Sequence, residues 1–201
     1  MRVLMVSDVY SPRVNGVSTS IETFRGTLAD LGVEVRLVAP RYADEADEPG
    51  IVRVRGRPVP GDPEDRLVGW RAMHREVLAA ARDCDLIHVQ TPFVAHYAGL
   101  KAARKLGLPV LATYHTLFEE YLQHYAAFLP AGWLRGQARA FSRRQCNALD
   151  TVVVPSKAKA KWKTAVSGVR GGGGRLTRTS AVRTPSRSLK PRSAFAIPEP
   201  P

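Results

Sequence analysis

Hydrophobic residues in the first 157 positions form two patterns, short continuous runs and longer stretches with a helical period. Most of the short runs are rich in valine, leucine and isoleucine, which is typical of strands buried on both faces of a parallel sheet. They predict strands at residues 3–6, 34–40, 51–55, 85–90, 109–115 and 151–154. The longer stretches predict helices at about residues 17–31, 64–82, 93–106 and 130–149. Residues 42–50 and 56–63 are rich in acids, prolines or glycines and are predicted loops.

Strands and helices alternate along this part of the chain. Because parallel strands need crossover connections, the alternation predicts an α/β fold with a doubly wound parallel sheet of six strands. Ligands of such sheets bind beyond the carboxyl ends of the strands. Three segments follow strands in this way, and we expect them to share one rim: residues 7–16, 90–92 and 114–116.

The first of these segments ends where the first helix begins, at Asn15 and Gly16. The first turn of a helix exposes unpaired amides and a partial positive charge, which attract phosphate or another anion. The alternative, which the local sequence favours, is that Asn15 only caps the helix and Gly16 only completes a turn. Dinucleotide-binding and P-loop motifs need several glycines at fixed spacing, so a nicotinamide or nucleoside-triphosphate cofactor is not expected at this turn.

Positive charge is concentrated in the last part of the chain. Of the net charge of +12, residues 1–156 carry 19 Lys and Arg against 17 Asp and Glu, and residues 157–201 carry 11 against 1. After about residue 160 the periodic pattern gives way to four glycines and then Arg, Thr, Ser and Pro, so we expect residues 158–201 to form a disordered basic tail. Since the first 156 residues are nearly neutral, a nucleic-acid partner is not expected.

The two cysteines, Cys84 and Cys146, have no paired spacing that would suggest a metal site or a disulfide framework, and they fit a reducing compartment. The first apolar run has only four residues before Asp8, which is too short for a signal-peptide core or a membrane span. We therefore expect a protein of the cytoplasm, soluble or peripheral on the inner face of the cell membrane.

Three short motifs, taken in their order and spacing, resemble a known family. They are residues 11–18 (SPRVNGVS), residues 88–92 (HVQTP), and residues 113–116 (TYHT) followed by Glu120, Tyr121, His124 and Tyr125. Residues 153–157 (VVPSK) are a weaker fourth match. Over about residues 1–157 the chain is similar to the N-terminal Rossmann-like domain of retaining glycosyltransferases with the GT-B fold, the group called family 4. The third motif most resembles enzymes that glucosylate diacylglycerol or add mannose to lipid acceptors.

The resemblance implies transfer of a hexosyl group from a nucleotide-sugar to a lipid or glycan acceptor, with no further cofactor and no metal. In the family the N-terminal domain holds the acceptor, a second domain holds the donor, and the reaction takes place between them. By position, Asn15 and Gly16 would bind the donor diphosphate, and His115 would act as the catalytic residue beside the transferred sugar. The residues implied for the acceptor are Glu120, Tyr121, His124 and Tyr125.

Plainer alternatives stand beside these roles. His115 has the alternative of a strand-end histidine bonded to the backbone, and the residues implied for the acceptor have the alternative of an ordinary helix surface. His88 lies inside a predicted strand, and we interpret it as structural. Many relatives have a second glycine at the position of Asn15. The asparagine side chain narrows the approach of a ligand to the backbone.

The predicted helix at residues 130–149 has an amphipathic pattern. Three arginines recur at four-residue spacing, at Arg135, Arg139 and Arg143, and Leu134, Ala138, Phe141 and Leu149 share another face. A helix of this kind can lie on an anionic membrane surface through its arginines. The alternative, which we favour somewhat, is a helix that faces the core and exposes a solvated basic side.

The tail stands where the family continues into its donor-binding domain, because only Glu199 is acidic after residue 157 and the paired glutamates that hold the donor are missing. We therefore expect this chain to be the acceptor-side half and to transfer no sugar alone. A frameshift or truncation near residue 158 is one hypothesis for the tail, and a genuine basic tail is the alternative. The competing function is a non-catalytic anion-binding Rossmann module whose tail binds nucleic acid. The tail has only Trp162 and Phe195 as aromatic residues, which disfavours that reading.

Overall fold

Eight strands and four helices make up the described part of the computed structural model, which comprises residues 1–43, 45–59, 62–115, 131–153 and 181–182. In chain order they are β1 (Arg2–Val6), α1 (Gly16–Asp30), β2 (Glu34–Arg41), β3 (Ile51–Val59), β4 (Asp62–Val68), α2 (Trp70–Ala80), β5 (Leu86–Val89), α3 (Val94–Leu106), β6 (Val110–Thr113), α4 (Ala131–Asn147), β7 (Thr151–Val153) and β8 (Ala181–Val182). Strand and helix alternate over most of this length, as the hydrophobic pattern predicts.

The strands form one sheet in the order β4-β3-β2-β1-β5-β6-β7-β8. The pairs from β3 across to β7 are parallel, and only the outermost pairs, β3 with β4 and β7 with β8, are antiparallel. This arrangement confirms the expected α/β fold with a doubly wound, mainly parallel sheet. The chain leaves β1 toward β2 and later returns to β5 on the other side of β1, so the carboxyl ends of β1 and β5 flank a topological switch point.

The two faces of the sheet have separate hydrophobic cores. Alternate residues of a strand point to opposite faces, so Val3 and Met5 pack with Ile21 of α1, whereas Leu4 and Val6 pack on the side of α2 and α3. Helix α3 lies very close to β5, because a Cβ added at Gly99 would come within 2.8 Å of Val89 Cγ2. This close packing fixes the start of α3 beside the switch point.

One part of the prediction is wrong. Residues 56–63 are not a loop, and the helix predicted from residue 64 begins only at Trp70. Between them the chain forms a hairpin of β3 and β4, in which Gly56 pairs with Val68 and Arg57 with Leu67. The sheet therefore has two more strands than predicted, β4 at one edge and β8 at the other. Leu67 and Trp70, which the helical period of residues 64–82 puts near one face with Met73, are 61% and 39% exposed.

The hairpin depends on contacts that are remote in sequence. Arg13, in the loop before α1, forms ion pairs with Asp62 at 3.8 Å, with Asp65 at 3.2 Å and with Glu64. Gly56 permits the close pairing of the two strands, since a Cβ there would lie 3.1 Å from the Leu67 carbonyl oxygen. The acidic run at residues 62–65 resembles the first turn of a helix in isolation, and its partner Arg13 is about fifty residues away in the sequence.

The remaining expectations for the fold divide between described and undescribed residues. Helix α4 ends within two residues of the predicted boundary, and α3 ends at Leu106 as predicted, where the left-handed backbone of Gly107 (φ 69°) terminates the helix. The predicted disorder of residues 158–201 lies outside the described residues, apart from Ala181 and Val182, which pair with β7. No helix in the described ranges is long and apolar enough to cross a membrane.

Candidate active site

A cavity of about 770 Å³ opens at the carboxyl ends of the central strands. Its walls come from the loop after β1, the start of α1, the hairpin strands, the loops after β5 and β6, and the end of α4. The polar residues that line it are Asp8, Asn15, Ser20, Asp65, Arg66, Gln90, Thr91, His96, Thr113, Tyr114, His115 and Gln145. The cavity therefore occupies the switch point, where a doubly wound sheet binds its ligand.

The start of α1 is a capped helix terminus. Asn15 has extended backbone angles, and its side-chain Oδ1 accepts hydrogen bonds from the amides of Val17 and Ser18, each at 2.9 Å. These bonds occupy two of the amides that an anion would otherwise use. Gly16 lines the cavity, and a Cβ added to it would meet no atom within 4 Å. Space for a ligand thus remains beside Gly16, while Asn15 caps the helix and also lines the cavity, and its contact with a diphosphate stays a prediction.

His115 follows β6 by two residues and is half-buried at the cavity. Its Nε2 donates a hydrogen bond of 2.8 Å to Oε1 of Gln90, the first residue after β5. The backbone amide of Gln90 donates in turn to the Val6 carbonyl oxygen at 2.9 Å, so the contact is anchored in the centre of the sheet. The structure thus brings His115 and Gly16, both singled out in the sequence, to one cavity.

His88 lies two residues before Gln90, on the same face of the sheet, and does not line the cavity. Its Nε2 shares a hydrogen bond of 2.7 Å with Thr113 Oγ1, and its ring meets Phe24 edge-on with the ring centroids 5.4 Å apart. Burial lowers the pKa of His88 to about 3, so the imidazole is neutral. These contacts are those of a structural histidine.

Asp8 joins the loop after β1 to the start of α3. Its carboxylate accepts the Ala95 amide at 3.0 Å and the Thr91 hydroxyl at 2.7 Å, while its own amide donates to Thr91 Oγ1 at 2.8 Å. Burial raises the pKa of Asp8 to about 6, although these hydrogen bonds act in the opposite direction. Asp8 thus ties together two of the segments that surround the cavity.

Sequence reasoning did not assign three buried residues of this cavity, His96, Gln90 and Gln145. His96, in the first turn of α3, is 2% exposed, and its Nε2 has no hydrogen-bond partner in the described part of the chain. Burial, with a contribution from Arg104, lowers its pKa to about 4, so it is neutral. Gln145 of α4 donates to the Pro92 carbonyl oxygen at 2.5 Å. Gln90 stood inside the HVQTP motif, and its position directly after a strand was the one available signal.

The remaining predicted site residues are either outside the described residues or on α4. The acceptor residues Glu120, Tyr121, His124 and Tyr125 are outside the described residues, and their role stays a prediction. On α4, Arg139 and Arg143 are exposed while Ala138 is buried, and the side chain of Arg135 is not described. Among the described residues no group of three or more His, Cys, Asp or Glu side chains could hold a metal ion.

Comparisons with known proteins place the chain among sugar transferases. Residues 14–171 match the family described as Glycosyltransferase Family 4. The α-monoglucosyldiacylglycerol synthase of Streptococcus pneumoniae is 33% identical over 130 residues, which are 63% of this chain and 29% of that protein. The GDP-mannose-dependent α-mannosyltransferase of Mycobacterium tuberculosis is 30% identical over 164 residues, which are 79% of this chain and 42% of that protein.

Solved structures share the fold at low sequence identity. The Anabaena protein HepE, crystallised with UDP-glucose, superimposes with a TM-score of 0.55 at 14% identity, over 84% of this chain and 41% of that one. The UDP-GlcNAc 2-epimerase of Methanocaldococcus jannaschii gives 0.50 at 13% identity, over 85% and 43%. The chain thus spans about three to four tenths of the length of the proteins that it matches.

Proposed function

Because this chain belongs to glycosyltransferase family 4, as the match over residues 14–171 shows, we propose that it forms the acceptor-side domain of an enzyme that transfers a hexosyl group from a nucleotide-sugar to a lipid or glycan acceptor. The family and the Rossmann-like fold, both expected from the sequence, are confirmed. The observation that carries the proposal is the shared cavity at the switch point, lined by both Gly16 and His115. We place the enzyme in the cytoplasm, where nucleotide-sugars are the donor substrates.

The chemistry of transfer explains what these two residues would contribute. As the sugar leaves its diphosphate, positive charge develops at the anomeric carbon and negative charge on the departing phosphate. The amides of Val17 and Ser18 are already bonded to Asn15. The negative charge would therefore be stabilised by the amide of Gly16 and by the positive end of α1. His115, which lines the same cavity, would contact the sugar. Under this proposal transfer retains the anomeric configuration and needs no metal.

Replacing Gly16 with valine is expected to raise KM for the nucleotide-sugar about 10- to 100-fold, the effect of losing one hydrogen bond to a charged group. The new side chain would occupy space that is free of protein atoms within 4 Å of its Cβ, so the fold should tolerate it. The assay is mannosyl transfer from GDP-mannose by a hybrid protein. In this hybrid, residues 1–153 of the chain replace the matching N-terminal part of the Mycobacterium tuberculosis mannosyltransferase.

The matched control is Gly26→Val on the same helix, where an added Cβ also meets nothing within 4 Å. Gly26 does not line the main cavity, so its variant should keep the KM of the unmodified hybrid. A folded hybrid that transfers no mannose would refute the proposed function. An equal effect of both valines would refute the role of Gly16 while leaving the function standing.

We also propose that α4 brings the enzyme to a membrane surface, where a lipid acceptor would be found. Helix α4 buries Ala138, Ser142 and Gln145 and exposes Arg139 and Arg143 one helical turn apart. The buried side attaches the helix to the domain, and the arginines on the other side are accessible to anionic headgroups. Each basic residue near such a surface contributes about 1 kcal/mol of attraction.

Changing both arginines, Arg139→Gln with Arg143→Gln, is expected to lower the partition coefficient of the full chain onto anionic vesicles about 30-fold in a flotation assay, as the loss of two surface charges implies. The matched control is Arg71→Gln with Arg75→Gln, an exposed pair at the same spacing on α2. Because the basic tail is present in both variants, its own attraction to the vesicles cancels. Equal recovery of the two variants would contradict a membrane role for α4.

A further inference from the structure

Two hydrogen-bonded pairs of side chains connect β5 and β6 on one face of the sheet. His88 bonds to Thr113 at 2.7 Å, and Gln90 bonds to His115 at 2.8 Å. The two residues of each pair are 25 positions apart in the sequence. Alternate residues of a strand share a face, and the parallel register of β5 with β6 carries both pairs in the same sense. In the inner pair only Thr113 lines the cavity, whereas in the outer pair both Gln90 and His115 do.

The amide of Gln90 is only half satisfied by this contact. The side chain is 1% exposed, and its Nε2 has no hydrogen-bond partner in the described part of the chain. Leaving a buried polar group unpaired costs about 1–3 kcal/mol, and such groups occur at sites where another molecule supplies the partner. Gln90 lines the cavity together with His115, so both side chains border the space that a ligand would occupy.

We infer that Gln90 is the positioning residue of His115: its Oε1 accepts the Nε2 proton of His115, which holds the imidazole in one tautomer and one orientation. Its amide N–H group is left to be satisfied by a hydroxyl oxygen of the sugar or acceptor. This second role rests on the proposed function, whereas the first does not. With the proton held on Nε2, His115 presents Nδ1 as its hydrogen-bond acceptor.

The sheet explains why a glutamine serves here. The backbone amide of Gln90 is bonded to the Val6 carbonyl oxygen in the central strand, and the side chain extends from that fixed point to the histidine of the neighbouring strand. A carboxylate at the same position would keep the acceptor but lose the N–H donor. A shorter or apolar side chain would lose both contacts.

The test is the imidazole nitrogen signals of His115 in the 201-residue chain, measured by nitrogen-15 NMR at about pH 8, where an ordinary imidazole is neutral. The signals are assigned by their loss in His115→Ala. We expect the proton on Nε2, and we expect its exchange with water to become about tenfold faster in Gln90→Met, which removes one hydrogen bond. Gln90→Glu keeps the acceptor and should keep the proton protected.

Gln145→Met is the matched control, because Gln145 is another buried glutamine of the cavity, and its amide donates to the Pro92 carbonyl oxygen. It should leave the His115 signals unchanged. Gln90→Asn, too short by one methylene to reach His115, should behave as Gln90→Met and replaces it if the methionine variant does not fold. A proton on Nδ1 of His115 in the unmodified chain, or equal exchange in the unmodified and Gln90→Met chains, would overturn the inference. Because sugar transfer is not measured, failure here is distinct from failure of the proposed function.

Discussion

Replacing His115 with alanine is expected to lower kcat for mannosyl transfer by the hybrid protein about 10²- to 10³-fold, the usual effect of removing one group that stabilises a transition state. His115 lies at the cavity, is held by Gln90 at 2.8 Å, and faces the same space as Gly16. KM for the nucleotide-sugar should change much less, because the interaction is expected to strengthen as charge develops.

The control is His74→Ala. His74 is a half-buried histidine of α2 that stacks on Trp70 with the ring centroids 5.5 Å apart and does not line the cavity. Both variants should unfold at similar temperatures, and only His115→Ala should lose turnover. A hybrid carrying His115→Ala with unchanged kcat would contradict the proposed catalytic role of His115, whatever its effect on KM.

Raising the pH from about 4 to about 7 is expected to lower the free energy of unfolding by up to about 3 kcal/mol through Asp8 alone. Burial raises the pKa of Asp8 from 3.8 to about 6, so the folded chain holds this proton to a higher pH than the unfolded chain does. The stabilising contribution is complete below about pH 4 and is lost as the pH rises through about 6. Ionisation of Asp8 thus works against the fold, despite the bonds from Ala95 and Thr91.

The measurement is urea unfolding of the unmodified chain and of Asp8→Asn at several pH values between about 4 and 7. Other carboxylates act with the opposite sign, since hydrogen bonding to Arg36 lowers the pKa of Asp83. That contribution is the same in both proteins and cancels in their difference. The difference in stability should shift in favour of Asp8→Asn as the pH rises. A difference that is independent of pH would show that Asp8 does not titrate as its burial implies.

The strands around the switch point could be predicted from sequence because each is a short apolar run covered on both faces. The same pattern placed residues 7–16, 90–92 and 114–116 on one rim, and the structure brings Gly16, Gln90 and His115 to one cavity. The hairpin of β3 and β4 could not be predicted in this way. Its acidic residues are stabilised by Arg13, which is remote in the sequence. The hydrophobic residues of β4 also fit the helical period of α2, so the pattern favours one longer helix.

Local sequence could not decide the role of single polar residues. Asn15 is equally suited to cap a helix and to stand beside an anion, and only the hydrogen bonds to Val17 and Ser18 show that it caps. Gln90 and His96 show no distinctive spacing in the sequence. Only the surrounding atoms of the described residues reveal that a buried nitrogen of each lacks a hydrogen-bond partner. Periodicity predicts which residues are buried, but it does not predict whether a particular buried atom has a hydrogen-bond partner.

The hairpin wall of the cavity is attached differently at its two ends. Val68 is fixed in the hydrophobic core, whereas the turn end of β4, at residues 62–65, is held to the loop before α1 through Arg13. Ionic strength acts on these two attachments unequally, because dissolved salt screens the partly exposed ion pairs of Arg13 to some extent and leaves apolar packing in place. The end of the wall at Val68 therefore stays attached at any salt concentration, whereas the attachment of residues 62–65 weakens as the salt concentration rises. The width of the cavity, and with it the size of ligand admitted, should vary with salt concentration.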